Sequence, residues 1–74
     1  MIRVVIADDH RLVREGIRAL LDKSDDIQVV GEADDGAAAL GLVAQLAPDV
    51  LVTDIRMPGL SGLEAAAEIA ERGL

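Results

Sequence analysis

Three short apolar runs, at 2–7, 27–32 and 50–53, alternate with three amphipathic segments, and that alternation constrains the fold more than anything else in the chain. Ile2-Arg3-Val4-Val5-Ile6-Ala7 is β-branched and almost continuously apolar. Such a run suits a strand covered on both faces, because a half-exposed strand alternates polar and apolar residues. Ile27-Gln28-Val29-Val30-Gly31-Glu32 reads as a second strand, with Gln28 at a more exposed position. Val50-Leu51-Val52-Thr53 reads as a third.

The intervening segments have helical spacing. Over 11–23, Leu12, Val13, Ile17, Leu20 and Leu21 mark one face. Gly16 costs this helix some propensity, which close packing on the sheet would explain. Asp34-Asp35-Gly36 reads as a turn, with Asp35 placed to cap a second helix over 37–47. Leu40, Val43, Leu46 and Ala47 form its apolar face, and Pro48 stops it. Pro58-Gly59 signals a turn after the third strand. Ser61 and Glu64 then fit a capping box, with Leu63, Ala66, Ala67 and Ala70 on one face of a third helix running to about Arg72. A βαβαβα order with short connections implies a parallel sheet with helices on both faces.

Size and composition narrow the function. A chain of 74 residues holds one small domain. The absence of cysteine excludes disulfides and thiolate metal sites. Fourteen acidic against seven basic residues make direct contact with nucleic acid unfavourable. No apolar run approaches the ~20 residues that cross a bilayer. The first apolar run ends in Asp8-Asp9 and not in a small-residue cleavage site. The reading is a cytoplasmic protein with no membrane contact.

Two of the three strands end in aspartate: Asp8-Asp9 after the first and Asp54 after the third. In open parallel sheets, ligands bind beyond the carboxyl ends of the strands, where strand order reverses. In a flavodoxin-like order the first and third strands are neighbours, about 4.8 Å apart. Asp8, Asp9 and Asp54 are therefore expected to converge. Three carboxylates that close repel one another, and a divalent cation removes the conflict. All-oxygen ligands suit a hard ion, Mg²⁺ or Mn²⁺, and the natural work of such a site is phosphoryl transfer. Asp54, alone at its strand end before a Gly/Pro loop, is the candidate to attack phosphorus. The imidazole of His10 is a poor match for a hard ion. Asp25-Asp26 and Asp34-Asp35 read as ordinary loop and cap acids.

The runs Val4-Val5-Ile6-Ala7-Asp8-Asp9-His10, Leu12-Val13-Arg14-Glu15-Gly16-Ile17 and Asp54-Ile55-Arg56-Met57-Pro58-Gly59, with Gly62-Leu63-Glu64, closely resemble response-regulator receiver domains. The resemblance is strongest to the subfamily with a NarL/LuxR-type helix-turn-helix output, and Thr53, more often Met there, departs from it. It implies a CheY-like fold with strand order 2-1-3, of which residues 1–74 form the first three βα repeats with no output domain. It further implies that Asp54 takes a phosphoryl group from a sensor histidine kinase. Asp9 would be a direct Mg²⁺ ligand, Asp8 a mainly water-mediated one, and the backbone carbonyl of Arg56 would complete the protein's share.

The family's later Ser/Thr, Lys and aromatic switch positions have no counterpart in these residues, and Lys23 is no substitute. The strand at 50–53 would then be an unprotected apolar edge, so the chain is expected either to belong to a longer protein or to self-associate. The leading reading is a signalling module, not an enzyme, that controls a DNA-binding output region. A second is a phosphorylation-independent interaction module acting through the 50–53 edge. A third, a phosphatase of the Asp-x-Asp type, is disfavoured because Arg56 stands where its general acid would be.

Overall fold

β1 (Ile2–Ala7) is the central strand of a three-stranded parallel sheet in a computed structural model that describes residues 1–54, 67 and 69–73. It pairs with β2 (Ile27–Ala33) on one side and β3 (Val50–Thr53) on the other, giving the order β2-β1-β3. The near-continuous apolar character of β1 has its reason here: Val4, Val5, Ile6 and Ala7 are all buried, Val5 and Ile6 completely. Each buried valine or isoleucine side chain contributes about 1.5–3 kcal/mol relative to exposure. Gln28, the interruption in β2, is exposed, as its polarity implies.

The register of β1 on β2 shifts between Val4 and Val5, so that Val4 pairs with Val29 and Val5 with Gly31. Gly31 lies under the second helix, α2 (Gly36–Leu46). A Cβ at Gly31 would stand 3.2 Å from Leu46 Cδ1 and 3.3 Å from Leu42 Cδ1. Close helix–sheet approach is therefore located at Gly31 and not at Gly16, where an added Cβ would meet nothing within 4 Å.

α1 (Arg11–Leu21) is shorter than its apolar pattern implies. The N–H groups of Lys23 and Ser24 bond to Leu20 O and Leu21 O, tightening the end into three-residue turns. Its apolar face is also open: Ile17 and Leu21 are half-buried, whereas Leu12, Val13 and Leu20 are exposed.

α2 begins at Asp35, whose Oδ1 accepts from Ala38 N–H at 2.7 Å, the cap its sequence implies. Its buried face is Gly36, Ala39, Leu40 and Val43; Leu46 is half-buried and Ala47 exposed. Ala47 takes the left-handed conformation (φ 47°), which ends the helix one residue before Pro48. Beyond β3, Ala67 and residues 69–72 are helical; Ala67 and Ala70 are exposed and Ile69 is half-buried. The turn at Pro58-Gly59, the capping box of Ser61 and Glu64, and Leu63 and Ala66 lie outside the described residues.

Candidate metal centre

The carboxyl ends of β1 and β3 meet at one edge of the sheet, because Ala7 pairs with Thr53 in register. Asp54 N–H donates to Ala7 O at 3.0 Å, which brings Asp54 beside the chain turning out of β1. Asp8 follows Ala7 and is buried; its N–H donates to Ala33 O at 3.0 Å, continuing the β2 ladder past the strand end. Asp8 Oδ1 accepts the N–H of His10 at 2.8 Å, closing a tight Asx-type turn into α1.

Asp8, Asp9, His10 and Asp54 each offer one ligand atom within 4.8 Å of all the others. Among the described residues no other group of this kind occurs. Asp26 serves as a backbone acceptor for Ile2 N–H, and Asp35 is a helix cap. Topology alone separates the three acid pairs: only one stands at the end of the strand next to β3. Arg56, whose carbonyl the family resemblance adds to the set, lies outside the described residues, as does Met57. The Oγ1 of Thr53 donates to Asp54 O at 3.0 Å.

His10 is drawn into the cluster more closely than its exposed position implies. Its Nδ1 lies 2.9 Å from Asp9 Oδ1 and 3.4 Å from Asp8 Oδ1. Three converging carboxylates supply only oxygen donors, the chemistry that hard divalent ions prefer. The donor set therefore fits Mg²⁺ or Mn²⁺, with Asp8, Asp9 and Asp54 as the residues that would hold it.

Two residues at this edge escape a reading of the sequence. Arg14 Nη1 donates to the main-chain carbonyl of Asp8, and its Nε faces Glu32 at 3.7 Å. Glu32 is also bound by Arg18. Glu32 reads in sequence as an ordinary polar strand end. No sequence signal singles out Arg14, because Arg11 also places a cation at the start of α1.

Residues 4–74 match the response regulator receiver domain family, and the chain belongs to it. It is 53% identical over 68 residues to the probable transcriptional regulatory protein NarL of Mycobacterium tuberculosis, a match covering 92% of this chain and 32% of that protein. It is 46% identical over 69 residues to the transcriptional regulatory protein LiaR of Bacillus subtilis, covering 93% of this chain and 33% of the relative. The chain thus spans about a third of the length of these relatives. The signal receiver domain of the putative response regulator NarL from M. tuberculosis superposes with a TM-score of 0.96 at 51% identity, covering 99% of this chain and 59% of that one. The module is a receiver of the NarL/LuxR type of two-component response regulator. Receiver domains are signalling modules that bind Mg²⁺ at an acidic pocket and interact with sensor histidine kinases. Among the described residues no helix is long and apolar enough to cross a membrane.

Proposed function

We propose that the chain accepts a phosphoryl group on Asp54 from a phosphohistidine of a sensor kinase, in the cytoplasm, and so controls a DNA-binding output region. The observation that supports this most is the convergence of Asp54 with Asp8 and Asp9 within 4.8 Å. Asp8 is buried and its Oδ1 already accepts the His10 amide, which suits a holding role. Asp54 is half-buried and follows the last residue of β3, so it retains solvent access for an incoming donor. In the reaction an Asp54 carboxylate oxygen bonds to phosphorus as the phosphorus–nitrogen bond to the imidazole breaks, and the imidazole leaves with the bonding pair. A bound divalent ion supplies neutralisation of charge on the phosphoryl oxygens. Asp8, Asp9 and Asp54, with the carbonyl of Arg56, are the groups assigned to hold it. Regulatory output through DNA is read from the relatives' names as transcriptional regulators.

Self-association belongs to the same reading. Among the described residues β3 pairs with β1 alone, and Leu12, Val13, Leu20 and Val50 are exposed.

Intact mass after incubation with a small phosphodonor and Mg²⁺ tests the assignment. One added phosphoryl group is expected, lost when Mg²⁺ is withheld and lost in Asp54→Asn. Phosphate incorporation that persists in Asp54→Asn would sink the choice of acceptor.

A further inference from the structure

Arg14 is a charged residue whose side chain is only 16% exposed. Burying an arginine costs side-chain entropy, and the N-terminal end of a helix is electrostatically the wrong end for a cation. Something must offset both. The side chain reaches back to the Asp8 carbonyl through Nη1. Its Nε is buried without a hydrogen bond and stands 3.7 Å from Glu32 Oε1, so charge attraction holds that side of the guanidinium. Glu32 is fixed in turn by Arg18.

The acceptor is what separates this arrangement from an ordinary surface ion pair, which contributes little. The carbonyl of Asp8 and the N–H of Asp9 belong to one rigid peptide plane. Pinning that oxygen orients the plane from which the Asp9 side chain projects. The N–H of Asp8 is already bonded to Ala33 O. The acid turn is thus held from β2 at one end and from α1 at the other.

We propose that Arg14 is a positioning residue of the acid site. By anchoring the Asp8–Asp9 peptide to Glu32, it sets the affinity of the site for a divalent cation without touching the ion. This inference rests on the reading of Asp8, Asp9 and Asp54 as the metal-holding acids.

The test is Mn²⁺ affinity, followed by the electron paramagnetic resonance signal of the free ion, on the whole chain. The variants are Arg14→Gln, Arg14→Lys, Glu32→Gln and Asp9→Asn, each checked for folding without metal by far-UV circular dichroism. Loss of a group that orients a metal ligand costs about 10–100-fold in affinity. Arg14→Gln is expected to lose about tenfold, at the low end of that range. Glu32→Gln loses less, and Arg14→Lys recovers part of the loss by keeping a donor for the Asp8 carbonyl. The double variant Arg14→Gln/Glu32→Gln binds no more weakly than Arg14→Gln alone, because Glu32 acts through Arg14. A residue that merely supports the fold would lower the unfolding temperature and leave the affinity of the folded protein unchanged. Wild-type affinity in Arg14→Gln, with binding abolished in Asp9→Asn, overturns the positioning role alone. Wild-type affinity in Asp9→Asn overturns the site reading beneath it. If Arg14→Gln does not fold, wild-type affinity in both Glu32→Gln and Arg14→Lys overturns the proposal.

Discussion

Arg3 and Asp49 exchange two hydrogen bonds: Arg3 N–H donates to Asp49 Oδ2 at 2.8 Å, and Asp49 N–H donates to Arg3 O at 2.8 Å. The Arg3 guanidinium then reaches the end of α2, donating to Leu46 O at 2.6 Å and Ala47 O at 3.2 Å. These carbonyls are among the last of the helix, which have no acceptor role within it. A cation there is also favoured by the helix dipole. Arg3→Met keeps much of the side chain's bulk and removes the cap. It is expected to lower unfolding free energy by about 1–2 kcal/mol in urea titration, with no change in Mn²⁺ affinity.

The two sheet-facing questions raised by glycine have opposite answers. Gly16→Ala introduces a methyl with nothing within 4 Å inside a helix, so it stabilises by about 0.5–1 kcal/mol. Gly31→Ala forces Leu42 and Leu46 to give way by a few tenths of an ångström and destabilises by about 1 kcal/mol. Thermal unfolding of the two variants checks both signs at once.

Metal binding at the acid cluster, as proposed above, would couple to stability. A ligand that binds only the folded state adds about 2.7 kcal/mol at a hundredfold excess over its dissociation constant. Mg²⁺ is therefore expected to raise the unfolding temperature, and a chelator to reverse the rise. In Asp9→Asn the increment disappears. Metal-free Asp9→Asn is expected to be no less stable than the metal-free parent, because a like charge has left the cluster. An undiminished Mg²⁺ increment in this variant would contradict the assignment of Asp9.

The open face of α1 separates folding from association. Leu12 is 81% exposed and Leu20 is 66% exposed, so Leu12→Gln and Leu20→Gln are each expected to change stability by no more than ~0.5 kcal/mol. Sedimentation velocity of the double variant should show less concentration-dependent association than the parent. Unchanged association would place the contact elsewhere, with the β3 edge as the next surface to test.

The strands were legible in sequence because burial on both faces requires an unbroken apolar run, and only the residues themselves can meet that requirement. The order of elements then fixed the parallel sheet, and with it the meeting of Asp8, Asp9 and Asp54 at neighbouring strand ends. The Asp35 cap was legible for a similar reason: it acts within three residues of itself. Tertiary structure decided what depends on a partner distant in the chain. Helical spacing locates an apolar face but not what covers it, so α1 keeps Leu12, Val13 and Leu20 exposed. Sequence marks Gly16 and Gly31 alike as small, and only the approach of α2 to the sheet singles out Gly31. Arg14 and Glu32 are unremarkable charged residues until α1 lies across β2 and brings one guanidinium to both the Asp8 carbonyl and the Glu32 carboxylate. Local chemistry sets the acids at the strand ends; the geometry that holds them is a property of the assembled layers.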